Sequence, residues 1–129
     1  PPMLKKDMEL LEDISNQLDS RKNNVLEFRD SSWFCEEVYK FLRNKSLTFS
    51  IISAPDLPND AVKTTDLIYI RFHGKNDWYK YLYDEKDLIE WKKKILELDA
   101  DRVFIYFNND YQANAIENCK QLRKILAEN

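Results

Sequence analysis

Leu67-Ile68-Tyr69-Ile70-Arg71-Phe72-His73-Gly74 is the stretch on which the fold turns. Its β-branched and aromatic residues, closed by His73-Gly74, predict a strand over Leu67 to Phe72. Side chains alternate across a strand, so Tyr69, Arg71 and His73 share one face and Ile68, Ile70 and Phe72 the other. A strand covered on both sides normally reads as an uninterrupted apolar run. Here one face turns polar toward the C-terminal end. The same pattern recurs on either side in the chain. In Val25-Leu26-Glu27-Phe28-Arg29, a short predicted strand, Val25, Glu27 and Arg29 oppose Leu26 and Phe28. In Arg102 to Phe107, Phe104 and Tyr106 lie on the face that Asn108 continues, opposite Val103, Ile105 and Phe107. Leu47 to Ser53 reads as the remaining strand.

Helical spacing fills the gaps. Leu4, Met8, Leu11, Ile14 and Leu18 fall at steps of three and four, an amphipathic stripe that polar Asp19 to Asn24 breaks. Asp30-Ser31-Ser32 is an N-cap signal ahead of a helix carrying Phe34, Val38, Phe41 and Leu42 on one side. Ala54 to Asp60 is a loop, because Pro55 and Pro58 remove donors and restrict the residues before them. No helix is predicted between the second and third strands. The aromatic stretch Asp77 to Tyr83 is a long connection, after which Asp84 caps a helix that turns Leu88, Trp91, Ile95 and Leu98 inward. Asn108-Asn109-Asp110 leads into a last helix with Ala115, Cys119, Leu122 and Leu126 at helical spacing.

The order α-β-α-β-β-α-β-α is that of an α/β protein whose parallel sheet is covered by helices. Four strands and four helices make either a small open sandwich or half of a (β/α)₈ barrel. A barrel typically needs about 250 residues, and 129 residues, read as one domain, are close to half of that.

Composition excludes several function classes. Gly74 is the only glycine, so the Gly-rich phosphate loops, which need several, are absent. His73 is the only histidine, which leaves no second imidazole for a His-rich zinc site. No metal or cofactor is assigned. Lys and Arg number 20 against 23 Asp and Glu, interspersed and without a basic stripe, so nucleic acid is an unfavoured partner. No apolar run reaches the ~20 residues a membrane span needs. Cys35 and Cys119, far apart and each within a helical pattern, read as reduced, packed thiols of a cytoplasmic protein.

Polar residues at the ends of three strands cannot simply be packed away, since a buried charge is costly unless paired. Two arrangements satisfy them. The faces converge on one solvated funnel at the carboxyl ends of the strands, where α/β folds place ligands, or they form an ion-pair network sealed in the barrel. Glu27, Arg29, Arg71, His73 and Asn108 define the convergence.

At these residues the sequence resembles a known family. Glu27-Phe28-Arg29 followed by Ser32-Trp33-Phe34, Tyr69-Ile70-Arg71-Phe72-His73-Gly74, and Tyr106-Phe107-Asn108-Asn109 with Ala115 and Asn118 are together similar to the motifs of the YecE-like family (domain of unknown function 72). The likeness covers almost the whole chain. It implies a TIM-barrel-like fold with these motifs in its second half, and Pro1-Pro2 would match a point near the middle of the family's chain. Asp30-Ser31 departs from the His-Pro that family members often carry there. The resemblance supplies a fold and candidate positions but no activity.

Glu27 and His73 are the expected catalytic residues: a carboxylate held ionised by a neighbouring arginine orients or takes a proton, and imidazole is the side-chain type suited to proton shuttling near neutrality. Arg29 and Arg71 could fork onto a phosphate or carboxylate. Trp33, Tyr79, Asn108 and Asn109 complete the expected substrate-binding set, with Tyr79 in the aromatic stretch suited to stacking on a base or sugar. Each has a structural alternative, namely a strand-end salt bridge, a hydrogen-bonded core histidine, or a helix cap at Asp110. Two function classes follow: an enzyme acting on a small anionic, phosphorylated substrate, or a non-catalytic binding module using the same mouth. A half-barrel also leaves two unpaired sheet edges, so an N-terminal half or a second copy of the chain is expected to cover them.

Overall fold

A computed structural model describes residues 1–128. Its elements are α1 (Met8–Gln17), β1 (Val25–Leu26), α2 (Glu36–Asn44), β2 (Thr48–Ser53), β3 (Leu67–Phe72), α3 (Glu85–Glu97), β4 (Arg102–Phe107) and α4 (Asn114–Ala127). The four strands pair in the order β1-β2-β3-β4, each parallel to the next. This is the expected α/β arrangement, with the β2–β3 crossover made by a loop and the β3–β4 crossover by α3.

Register explains why the strands carry two chemistries. Ile51, Ile70 and Ile105 lie side by side, as do Ser53, Phe72 and Phe107. This face meets the helices: Val38 and Leu42 of α2, Leu88, Trp91 and Ile95 of α3 and Leu122 of α4 are buried in the core it forms. Phe72 is its centre, stacked on Phe107 at 4.5 Å and edge-on to Trp91 at 4.9 Å. The opposite face aligns Ser50 with Tyr69 and Phe104, and Ile52 with Arg71 and Tyr106. No helix covers it.

Four boundaries differ from the sequence expectation. The ladder of β1 ends at Leu26, so Glu27 to Arg29 run on beyond it. Asp30 caps a short 3-10 turn, Ser31–Trp33, by accepting from Ser32 N, and α2 starts only at Glu36 with Cys35 as its uncapped first boundary. Phe34 therefore packs from the turn and Cys35 is not inside a helix. At the far end Asp110 makes no side-chain cap. Gln112 and Ala113 adopt positive φ and α4 begins at Asn114, so Asn109 and Asp110 stand a full turn away from its N-terminus. Along α1, Asp7 caps the helix by accepting from Leu10 N, and Leu4 falls outside it.

Candidate functional site

Three chain segments deliver the polar residues to one place. Glu27 and Arg29 follow β1, Arg71 ends β3, His73 extends β3 by donating its backbone N–H to Ser53 O, and Asn108 extends β4 by donating to Phe72 O. All lie at the carboxyl ends of the strands.

Glu27 is the hub. Its Oε1 accepts from Arg29 Nε at 2.5 Å and its Oε2 from Arg71 Nη1 at 2.9 Å. Arg71 also donates through Nε to Asn108 Oδ1 at 3.0 Å. Arg29 Nη2 lies 3.3 Å from His73 Nε2, while Glu27 Oε1 lies 3.7 Å from the same nitrogen, beyond a hydrogen bond. One ring nitrogen of His73, Nε2, therefore faces Arg29 and Glu27 together. The other, Nδ1, is buried and has no partner among the described residues.

Burial pushes the Glu27 carboxyl up, but its neighbours His73, Arg29 and Arg71 outweigh burial and hold it at about 2. With Glu27 ionised, two guanidiniums share one carboxylate. Each guanidinium keeps N–H groups directed to no side chain among the described residues, Nη1 of Arg29 and Nη2 of Arg71. Such a fork suits a carboxylate or phosphate oxygen.

The aromatic connection closes one side. Trp78 lies under Arg29, whose Cζ is 5.3 Å from the ring centroid, and sits 5.7 Å from the His73 ring. Tyr79 meets His73 edge-on at 5.8 Å and is 47% exposed, so half of its ring faces solvent. In this aromatic stretch the sequence points to Tyr79 and not to Trp78. Only the closed loop singles it out as the residue in contact with Arg29.

Two expected site residues are held elsewhere. Trp33 is buried, stacked on Phe28 at 4.6 Å, and its indole N–H donates to Leu4 O at 2.7 Å. Asn109 is buried and donates to Tyr81 O and Asn118 Oδ1, both at 2.8 Å. Asn118 in turn brackets the backbone of Tyr83, accepting from its N–H at 3.0 Å and donating to its carbonyl at 2.7 Å. The two asparagines thus pin the aromatic connection to α4. Asp87 fastens its other side, accepting from Lys75 Nζ and Tyr81 OH, each at 2.6 Å. Among the described residues no group of three His, Cys, Asp or Glu is placed to hold a metal ion.

A family model described as "Protein of unknown function DUF72" matches residues 1–129. The chain belongs to the DUF72 family. This is the family that its YecE-like motifs resemble, and those motifs are the ones that build the cluster. Among curated proteins the DUF72 chain is similar to UPF0759 protein YunF of Bacillus subtilis (strain 168), 30% identical over 129 residues that take in 79% of this chain and 46% of YunF. Among solved structures it is similar to a DUF72 family protein of Thermotoga maritima MSB8, with a TM-score of 0.91, 33% identity, and coverage of 99% of this chain and 55% of that one. A DUF72 family protein of Enterococcus faecalis V583, with a TM-score of 0.89 and 21% identity, covers 100% of this chain and 57% of its own and shows the shared fold. The chain thus spans about half the length of the relatives it matches, as a partial TIM-barrel-like fold. No helix among the described residues is long and apolar enough to cross a membrane.

Proposed function

We propose that this rim binds a small anionic, phosphoryl-bearing substrate. The observation that supports it is the 2:1 ratio of guanidinium to carboxylate at Glu27, with donors left over on both arginines. Arg29 and Arg71 take the anion, Glu27 locks their planes, Asn108 orients Arg71, Trp78 and Tyr79 close the side, and His73 backs Arg29 through Nε2. A carboxyl held at about 2 is a weak base at neutral pH, so Glu27 acts by orienting. That favours, as a second reading, a binding module in which no proton is transferred.

Calorimetric titration with inorganic phosphate and a phosphomonoester tests the site. Arg71→Ala is expected to weaken binding roughly tenfold or more, and Arg71→Lys by less, since it keeps the charge and loses the fork. Binding indifferent to both substitutions would sink the proposal. Turnover that persists in the wild type and disappears in His73→Ala would select the enzyme over the binding module.

We further infer that residues 1–129 form the C-terminal half of a barrel and that a complementary β/α half covers it. The sheet ends in β1 and β4, and on β4 the large residues Val103, Phe104 and Tyr106 are 38%, 44% and 45% exposed. An apolar edge strand of that kind is a template for pairing. The expected result of light scattering is a complex with the complementary half; a self-associated dimer would make the cover a second copy, and a stable lone monomer would overturn the inference. A cytoplasmic setting belongs to the same proposal and suits the free thiols of Cys35 and Cys119.

A further inference from the structure

Beneath the Glu27–Arg71 pair, on the uncovered face of the sheet, lies a chamber of about 340 Å³ lined by Asn23, Val25, Glu27, Ser50, Tyr69 and Arg71. Ser50 is 0% exposed, yet its Oγ has no hydrogen-bond partner among the described residues. A buried hydroxyl with nothing to bond is costly, and native structures rarely keep one without a reason. Its neighbour in register is Tyr69, whose ring leans on Tyr106 at 4.9 Å and 31°. The two rings make an aromatic wall beside the polar groups.

The donor set is specific. Glu27 only accepts, Arg71 only donates, and the Ser50 hydroxyl and Asn23 amide do both. Neighbouring hydroxyls on a ring need that mixture, because each gives one hydrogen bond and receives others. The C–H side of such a ring needs an apolar platform, which Tyr69 provides. A purely apolar ligand would strand these polar groups, and a bare anion would leave the wall and Ser50 unused. The chamber also adjoins the anion site, since Glu27 and Arg71 belong to both.

We propose that this chamber holds the polyhydroxylated ring of a sugar whose anionic substituent rests on Arg29 and Arg71. The inference builds on the anion site above and names the class of molecule that carries the anion. The complementary half of the barrel supplies the opposite wall.

The test is calorimetric titration of the assembled protein with three probes: inorganic phosphate, a neutral pentose and a pentose 5-phosphate. The pentose phosphate is expected to bind roughly tenfold tighter than inorganic phosphate. Ser50→Ala should erase most of that gain and leave phosphate affinity unchanged. The variant should fold, because the hydroxyl it removes bonds nothing among the described residues. Equal affinity for the two phosphates, or a gain that survives Ser50→Ala, overturns the chamber and leaves the anion site standing. Binding of the neutral pentose that depends on Ser50, with no binding of phosphate, upholds the chamber and removes the anion site. Silence from all three probes overturns both.

Discussion

Glu27→Gln is expected to lower the free energy of unfolding by about 3 kcal/mol at neutral pH. The carboxyl is held at about 2 in the fold against 4.5 for a free glutamate side chain, and a pKa unit is worth about 1.4 kcal/mol. The side chain is 18% exposed and its partners Arg29 and Arg71 are 21% and 30% exposed, so solvent screens the pair incompletely. Glutamine keeps the shape and removes the charge, leaving two guanidiniums facing each other. Denaturant unfolding of both proteins measures the loss, and a difference below about 1 kcal/mol would contradict the hub role.

The same substitution has a pH signature of fixed sign. A depressed folded pKa stabilises the native state fully above the unfolded value. For Glu27 the contribution is whole above 4.5, shrinks as the pH falls, and is gone once the pH passes below about 2. The gap between wild type and Glu27→Gln should therefore close across that window. Other carboxyls titrate there in both proteins, and taking the difference between the two curves removes them.

How much of this was legible beforehand depended on whether the deciding contact was local. Strand alternation at Tyr69, Arg71 and His73 needs only the period of a β-strand, and register then brings Glu27 and Asn108 to Arg71 across three strands. Trp33 and Asn109 came from motif context, which does not say which way a side chain turns. One is engaged by Leu4, the other by Asn118, partners 29 and 9 residues away. Ser50 carries no signal, since it is one of three hydroxyl residues in β2, with Thr48 and Ser53. Its significance lies in a bond it does not make, and only coordinates reveal that. The helix starts expected at Asp30 and Asp110 differ for a related reason: a polar triplet predicts that a turn begins, and the following backbone decides whether that turn is 3-10 or α.

Gly74→Ala is expected to cost on the order of 3 kcal/mol or more and to loosen the anion site with it. Gly74 has φ of +129°, outside the small left-handed region where side chains are tolerated. A Cβ there would stand 2.1 Å from Asp77 O and 3.3 Å from Tyr81 Cβ. The first obstacle is backbone, which cannot swing aside as the tip of a side chain would. Nor can the turn open freely, because Gly74 N–H donates to Tyr83 OH at 3.0 Å, that hydroxyl donates to Ser53 Oγ at 2.8 Å, and Tyr79 N–H donates to His73 O at 2.6 Å. This turn carries Trp78 back over Arg29, so relief of the clash must come from moving the residue that closes the site. Tyr79 is the natural control. It also has positive φ, at 65°, but inside the left-handed region, so Tyr79→Gly should leave stability within about 1 kcal/mol. If Gly74→Ala unfolds at the same denaturant concentration as the wild type, the chain's single glycine is dispensable and the turn does not hold Trp78 in place. If it loses stability while phosphate binding is unchanged, the turn matters to the fold and Trp78 drops out of the site.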